Sequence, residues 1–198
     1  MNPQNSIEQF EYEFSEYSVL VRNSDTPIVS DTSSELLVGT SQNDTLIGAD
    51  SAVGPNTEFY AYDGDDIIDN SNGTKSWIEA GKGDDTLIGG NAEDLMRGQL
   101  GKDTLNGNAG NDFLFGGEGN DTLSGGSGDD QLDGGAGDDT LDGGDGDDVY
   151  EYWGHQGFDV INETSGFDKI IFKDGHRDNA GWGSAFREGN DLVYIAKN

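Results

Sequence analysis

The sequence predicts an all-β fold in which short parallel strands stack as a solenoid, with short β-strand caps at both ends. Three observations lead to this prediction. A nine-residue repeat runs without interruption through residues 80–151, glycine is concentrated in the same stretch, and one position of each repeat is always apolar. Repeats this short cannot bury a core by themselves, so neighbouring repeats must stack to form one.

The repeat consists of eight nonapeptides that begin at Ala80 and end at Glu151. Positions one and four are each glycine in seven nonapeptides, and position two is glycine in six. Position six is aspartate in all eight, as Asp85, Asp94, Asp103, Asp112, Asp121, Asp130, Asp139 and Asp148. Position eight is apolar in all eight, as Leu87, Met96, Leu105, Leu114, Leu123, Leu132, Leu141 and Tyr150. Glycine, aspartate and the apolar residue therefore stay at the same positions of the nonapeptide throughout the array, with few exceptions.

Each nonapeptide predicts a turn followed by a short strand. Glycine costs roughly 1 kcal/mol per residue in a helix relative to alanine, so six residues of the pattern G-G-x-G-x-D favour a turn. The other three residues, such as 122–124, alternate polar, apolar and polar, as in a strand with one inward side chain. Two nonapeptides then form one flattened turn of the solenoid. The inward side chains should form two walls, with Leu87, Leu105, Leu123 and Leu141 in one and Met96, Leu114, Leu132 and Tyr150 in the other.

The flanking segments predict covers for the open ends of the solenoid. We expect residues 1–38 to form an N-terminal cap, or the tail of an upstream domain, with a linker over 22–38. Residues 39–79 read as degenerate repeats with insertions. Residues 152–198 contain short aromatic and β-branched segments and are expected to form a C-terminal β cap.

The composition restricts the partners of the chain. The 40 acidic and 10 basic residues give the chain a net charge of −30. Nucleic acid and anionic lipid are also negatively charged and would repel it. We therefore expect no nucleic-acid binding, no membrane insertion, a cation as partner, and a monomer. The absence of cysteine excludes disulfides and thiolate metal sites. The first 25 residues are acidic and lack the basic and apolar regions of a cleavable secretion signal.

Stacking creates a charge problem along the solenoid. Aspartates 18 residues apart, such as Asp103, Asp121 and Asp139, should lie about one strand spacing, roughly 4.8 Å, apart. Like charges at that distance are destabilising unless a cation lies between them. The glycine-rich turns also offer backbone carbonyls. A flexible cage of carboxylate and carbonyl oxygens suits Ca²⁺ better than Mg²⁺.

This nonapeptide pattern resembles the calcium-binding repeats-in-toxin (RTX) repeat. The resemblance covers residues 80–151 in full, and residues 61–69 and 39–47 more weakly. It implies a right-handed parallel β-roll in which positions one, three and five face one ion and positions two, four and six face the next. The number of loops then implies about six or more Ca²⁺ ions.

The resemblance implies metal ligands in three groups of residues. The first group is the eight position-six aspartates together with Asp66. The second group lies at position five and comprises Asn111, Asn120, Asp129, Asp138 and Asp147. The third group lies at positions one to four and comprises Gly107, Gly110, Gly116, Gly117, Glu118, Gly119, Gly125, Gly126, Ser127, Gly128, Gly134, Gly135, Ala136, Gly137, Gly143, Gly144, Asp145 and Gly146.

One coil, formed by repeats 89–97 and 98–106, departs from this pattern. It carries Ala92 and Gln99 in place of glycine, Glu93 at position five, and Lys102 at position five where the repeats 18 residues away carry Asp84 and Asn120. An ammonium group cannot be a metal ligand. We expect the sites that use Lys102 to be weak or empty, and the best sites to lie between Gly107 and Asp148.

The resemblance also implies a function. It implies a calcium-binding module of a secreted bacterial protein, unfolded at low cytosolic calcium and folded by extracellular calcium. Such a module would support type I secretion and the stability of an attached effector. Its partners would be calcium, the rest of a larger secreted polypeptide and the type I secretion machinery, and its location would be extracellular.

Catalysis is not expected, although an alternative binding function remains. His155 and His176 do not lie in a His-Glu-x-x-His motif, and Ser184 lacks the Gly-x-Ser-x-Gly elbow. Paired carboxylates for glycoside chemistry are not excluded by pattern alone. The alternative is a calcium-ordered solenoid that binds a polysaccharide or another surface ligand, as an adhesin module would. Against it, the repeats lack a threonine row at position three and offer only Phe113 and Phe115 as an outward aromatic array.

Overall fold

The computed structural model describes residues 18–21, 27–29, 34–48, 56–153, 157–163, 165–172, 184–188 and 191–195. All regular structure within these ranges is β-strand, so the predicted all-β class is confirmed. Among the same residues there is no helix with the length and apolar character needed to cross a membrane.

The strands form two sheets. The nine-stranded sheet contains β1 Ser18–Val21, β3 Ser34–Val38, β5 Thr57–Asp63, β7 Ser76–Lys82, β9 Leu95–Leu100, β11 Phe113–Glu118, β13 Gln131–Ala136, β15 Val149–Tyr152 and β17 Lys169–Phe172, in that spatial order. The ten-stranded sheet contains β2 Ile28–Val29, β4 Thr45–Ile47, β6 Ile67–Asp69, β8 Thr86–Ile88, β10 Thr104–Ala109, β12 Thr122–Ser127, β14 Thr140–Asp145, β16 Val160–Asn162, β18 Ser184–Glu188 and β19 Asp191–Ile195.

From β1 to β18, successive strands alternate between the two sheets, which is the topology of a β-roll. Within the array each strand pairs in parallel with the strand two positions further along the chain, so Leu105 stands beside Leu123 and Leu123 beside Leu141. Leu114 stands beside Leu132 in the other sheet. The predicted parallel solenoid is confirmed. Only the pairs β18–β19 and β16–β19 are antiparallel among the described strands.

The core is a narrow double file of inward side chains. All eight position-eight residues are buried, with at most 1% of their surface exposed. Ile28, Leu37, Leu46, Phe59 and Ile68 extend the files before the array, and Ile161 extends them after it. Every turn therefore contributes one or two large side chains, and the rest of its stability must come from its edges.

The strands are longer than the sequence predicts. From β9 to β14 they include positions seven to nine of one nonapeptide and positions one to three of the next, so the turn is confined to positions four to six. The reason is that positions one to three keep pairing with the neighbouring turn, as Gly117 does with Gly135. The bend itself occurs at position four. Gly119 has φ +139°, and a Cβ there would overlap the carbonyl oxygen of Gly101 in the preceding turn.

The roll extends beyond the array at both ends. Strands β2 and β3 lie where the sequence predicts a linker, because Ile28 and Leu37 enter the core as the leucines of the repeats do. At the other end, β16 and β17 continue the two parallel sheets into the region 152–198, where a C-terminal β cap is expected. The hairpin β18–β19 then borders β16. Within the segment 1–38, expected to form an N-terminal cap or the tail of an upstream domain, residues 1–17 lie outside the described residues.

Candidate metal centre

Two rows of aspartates follow the two edges of the roll, where the chain passes from one sheet to the other. We call these rows the first and second aspartate ladders. The first ladder contains Asp44, Asp66, Asp85, Asp103, Asp121, Asp139 and Asp159, and the second contains Asp94, Asp112, Asp130, Asp148 and Asp168. All position-six aspartates predicted as ligands lie in one of these ladders.

In each ladder, every aspartate after the first uses one carboxylate oxygen to bond the preceding member. The backbone N–H of Asp103 donates to Asp121 Oδ1 over 2.8 Å, and the N–H of Asp121 donates to Asp139 Oδ1 over 2.8 Å. In the second ladder the N–H of Asp112 donates to Asp130 Oδ1 over 2.7 Å. Each turn is thus tied to the next by a charge-assisted hydrogen bond, which is stronger than a neutral one.

The other carboxylate oxygen has no hydrogen-bond partner. It is buried and unsatisfied in eight ladder members: Asp66, Asp85, Asp103, Asp112, Asp121, Asp130, Asp139 and Asp148. Burying an anionic oxygen without a partner is costly, and a whole row of them is unusual in a native fold. Such a row calls for a positive ligand.

Asp94 is the exception in the second ladder. Its Oδ2 accepts a hydrogen bond from the N–H of Gly90 over 2.7 Å, and its Oδ1 accepts from the hydroxyl of Ser76 over 2.8 Å. Its carboxylate is therefore already bonded on both oxygens. Ala92 replaces the usual position-four glycine in this turn, which explains why the turn adopts a different conformation.

For Asp103, Asp112, Asp121 and Asp130, the unpaired oxygen faces a carbonyl of the following turn across a gap that glycine keeps open. A Cβ on Gly116 would overlap both Asp121 Oδ2 and the carbonyl oxygen of Gly134. The same holds at Gly107, where a Cβ would meet Asp112 Oδ2 and Gly125 O. Position-one glycine therefore leaves room between a carboxylate and a carbonyl, and both are oxygen donors.

Backbone carbonyls alternate in direction along the turn. The position-three carbonyl of Glu118 points backward and accepts from the N–H of Gly101 over 2.8 Å. The position-four carbonyl of Gly101 points forward, toward Gly119. Carbonyl oxygens therefore enter the gaps from both adjoining turns. An all-oxygen donor set of carboxylates and carbonyls fits Ca²⁺, a hard cation that takes 6–8 such ligands.

Burial perturbs the acidity of the ladder aspartates. Desolvation raises the pKa of Asp103, Asp112 and Asp139 from 3.8 to about 7, and the charges of neighbouring aspartates add to the rise. The backbone hydrogen bond to each carboxylate opposes this shift without cancelling it. Burial likewise raises the pKa of Asp85 and Asp130 to about 6. Without a cation, the ladder aspartates therefore bind protons at a higher pH than aspartate in an unfolded chain does.

These shifts predict that acid stabilises the metal-free roll. A carboxyl group whose pKa is higher in the folded state stabilises the fold fully below its unfolded pKa, near 3.8, and loses that contribution as pH rises through about 7. In metal-free buffer we expect β content and urea resistance to increase as pH falls from 8 to 5. Circular dichroism across that range measures the effect. Stability that decreased steadily on acidification would contradict it.

A second set of side chains, at position five, forms an outer row on the same edges. The N–H of Asp138 donates to Asn120 Oδ1 over 3.1 Å, and the N–H of Asp147 donates to Asp129 Oδ1 over 2.9 Å. Lys102 donates its backbone N–H to Asp84 Oδ1 over 2.8 Å, but its exposed side chain offers no acceptor to the following turn. The expectation that sites using Lys102 are weak or empty stays a prediction.

Sequence reasoning missed ladder members outside the array. Asp159 and Asp168 continue the ladders through hydrogen bonds from the N–H groups of Asp139, over 2.9 Å, and Asp148, over 3.1 Å. Asp44 heads the first ladder through its N–H to Asp66 Oδ1, over 2.7 Å. A signal was present: Gly-Phe-Asp occurs at 157–159 and again nine residues later at 166–168, each followed by isoleucine two residues after the aspartate. Two extra residues, 152–153, hide the phase.

The outer surface of the nine-stranded sheet carries an aromatic face that the repeats alone do not reveal. It contains Tyr60, Tyr62, Trp77, Phe113 and Phe115, and three of these come from before residue 80. The guanidinium carbon of Arg97 lies 5.5 Å from the ring centre of Trp77 and 5.7 Å from that of Phe115. A groove of about 300 Å³ lies at this aromatic face. It is lined by Tyr60, Tyr62, Asp63, Glu79, Ala80, Gly81, Lys82, Gln99 and Leu100.

Comparison with known proteins assigns the family. No curated protein matches the chain. The family model for the RTX calcium-binding nonapeptide repeat matches residues 30–52 and, in overlapping copies, residues 76–161. These matches span more than half of the chain and include nearly all ladder members. The chain therefore belongs to the RTX calcium-binding nonapeptide repeat family.

Proposed function

We propose that the chain is a calcium-dependent folding module, in which ions held between adjacent turns supply the stability that the narrow core lacks. The observation that carries this proposal is the row of buried, unpaired Oδ2 atoms along both edges. The ligands would be these oxygens together with the backbone oxygens that enter the gaps from positions one to five. About six or more ions would bind along the roll.

When bound, calcium would supply positive charge at the carboxylates. The protein orients the ligand oxygens and keeps open the space between them. Asp121 holds Oδ2 in place by accepting the N–H of Asp103 on Oδ1, so its second oxygen is oriented before any ion arrives. Gly116 leaves the space in which that oxygen and Gly134 O face each other. The ladder therefore positions charge and keeps water out, because its aspartates are almost fully buried.

The energetic consequence is a fold controlled by calcium concentration. A ligand that binds only the folded state at ten times its Kd adds RT ln 11, about 1.4 kcal/mol, for each site. Six sites would then add roughly 8 kcal/mol, which is comparable to the whole stability of an ordinary domain. Such a module would be unfolded at cytosolic calcium and folded at the 10⁻⁴–10⁻³ M range of extracellular calcium modules.

This switch suits an extracellular, monomeric, non-catalytic module of a larger secreted polypeptide. An unfolded chain in the cytosol is the form that a type I export system requires, as membership of the family suggests. Folding outside the cell would then stabilise the attached effector. Circular dichroism during a calcium titration, with magnesium as control, tests the folding switch on which this role depends.

The aromatic face favours a second candidate function, the binding of a neutral polysaccharide. Tyr62 and Trp77 are 57% and 38% exposed, which is more than packing of the roll requires. Exposed rings beside a groove that contains Glu79, Lys82 and Gln99 combine apolar platforms with hydrogen-bonding groups. Calcium-dependent folding would also order the aromatic face, because the strands that carry these rings belong to the roll.

Replacement of Trp77 by alanine tests the second candidate. We expect retardation of the calcium-loaded chain in gels containing a neutral glucan, and about tenfold weaker binding for the Trp77→Ala variant, the loss expected for one aromatic contact. Phe167→Ala is the matched control, because Phe167 is 88% exposed and lies away from the groove. Equal mobility of both variants and the parent chain would exclude this surface as a glucan site.

A further inference from the structure

The C-terminal end of the second ladder carries a cluster of three carboxylates. Ligand atoms of Asp148, Glu163 and Asp168 all lie within 4.8 Å of one another. Glu163 and Asp168 come after residue 161, where the family match ends. Glu163 also stands five residues before a ladder aspartate, the position that glycine occupies in the repeats. The cluster therefore has a different donor set from the gaps within the array.

Asp148 directs an unpaired oxygen into this cluster. Its side chain is completely buried, Oδ1 accepts the N–H of Asp130 over 2.8 Å, and Oδ2 has no hydrogen-bond partner. A Cβ on Gly143 would overlap Asp148 Oδ2 and would lie 2.7 Å from the hydroxyl oxygen of Tyr150. The unpaired oxygen therefore lies on the side of Asp148 that faces Tyr150.

Tyr150 takes the place of a backbone carbonyl in this last gap. At Gly125, the atom opposite Asp130 Oδ2 is the carbonyl oxygen of Gly143. One turn later, at Gly143, the corresponding atom is the Tyr150 hydroxyl. That hydroxyl accepts the N–H of Gly143 over 2.7 Å and donates to Glu163 Oε2 over 2.6 Å. Tyr150 thereby orients the Glu163 carboxylate toward Asp148.

We propose that Asp148, Glu163 and Asp168 form a terminal calcium site that fastens the C-terminal flank to the roll. Three carboxylates so close together repel one another unless a cation is shared among them, and oxygen-only donors favour Ca²⁺. Asp168 immediately precedes β17, which pairs with β15. The ion therefore joins the last array turn to β17. This inference rests on the proposed calcium-binding function and adds a site with side-chain ligands from outside the repeats.

The experiment compares the full chain with its Glu163→Gln variant. The variant keeps the size of the side chain and an acceptor for the Tyr150 hydroxyl, while it removes one negative ligand. We expect equilibrium dialysis against ⁴⁵Ca²⁺ to show one fewer ion bound per chain. Hydrogen exchange at 2 mM calcium should be at least tenfold faster in the amides of 169–172 and unchanged in those of 122–127.

Two further variants make the result decisive. Asp168→Asn should reproduce both effects, and it replaces Glu163→Gln if the latter does not reach the parent's β content at 10 mM calcium. Asp63→Asn is the charge-matched control, because Asp63 is exposed and pairs only with Lys82 across 2.8 Å in the described structure. It should keep the parent's ion count and exchange rates.

The outcomes separate this inference from the function on which it rests. A parent chain that bound no calcium would overturn the proposed function itself. A parent chain that bound several ions, with the same number bound by Glu163→Gln and Asp168→Asn and no faster exchange in 169–172, would leave that function intact and overturn the terminal site alone.

Discussion

Removal of calcium at pH 8 should convert the chain from a β-rich to a largely unfolded state, and calcium should restore the β-rich spectrum cooperatively in the sub-millimolar range. The reason is the balance between the core and the edges. The core contains 18 buried apolar residues among those described, whereas eight buried carboxylate oxygens of the two ladders have no hydrogen-bond partner. The negative charge of the ladder carboxylates would stabilise the roll when calcium is bound, because it attracts the ions. Without calcium the same buried charge destabilises the roll.

Far-ultraviolet circular dichroism during titration from chelator to 10 mM calcium measures this transition. Magnesium at equal concentration is the control, since it demands octahedral geometry and gives up its water reluctantly. It should produce at most a small change. A spectrum that is β-rich in chelator and indifferent to calcium would contradict the linkage, and the polysaccharide-binding function would then become the better supported one.

Replacement of Asp121 by asparagine should change stability in opposite directions with and without calcium. The amide oxygen can still accept the N–H of Asp103, so the ladder hydrogen bond survives while the unpaired anionic oxygen is lost. With 5 mM calcium, the loss of one ion costs about 1.4 kcal/mol or more, which lowers the melting temperature by about 3 °C or more. In chelator the variant should retain more β content than the parent by circular dichroism, because one buried charge is gone.

Asp63→Asn provides the charge-matched control for this experiment. It makes the same change of charge outside the predicted ligand groups, because Asp63 is exposed and its carboxylate pairs with the Lys82 ammonium across 2.8 Å. We expect a change within about 0.5 kcal/mol in either buffer. A melting temperature of Asp121→Asn equal to that of the parent with 5 mM calcium would contradict a role of this carboxylate in calcium binding.

The regular part of the fold was predictable because every nonapeptide must place an apolar side chain in the core, always at position eight. The position-eight residues had to point inward, so the constant spacing of Leu105, Leu123 and Leu141 was enough to place them in one wall. The sequence also placed the ladder aspartates on the edges. It could not show how the two oxygens of Asp121 divide their roles, because that depends on the distance to the N–H of Asp103.

The irregular parts were less predictable because their signals are interrupted. The two-residue insertion at 152–153 hides the turns that contain Asp159 and Asp168. Tyr60 and Trp77 belong to degenerate turns, and their position on the face that carries Phe115 follows only from the strand register. Spacing alone carries no information about register once a turn gains residues.

The flat shape of each turn has a consequence for the length of the chain. One turn uses 18 residues, as the pairing of Leu105 with Leu123 shows, and advances the roll by one strand spacing, roughly 4.8 Å. The same 18 residues would span about 60 Å when extended. Folding therefore replaces a segment that can span up to about 60 Å by an advance of roughly 4.8 Å, and it draws the segments on its two sides toward each other. A change in calcium concentration would thus change the distance between the segments that flank the array.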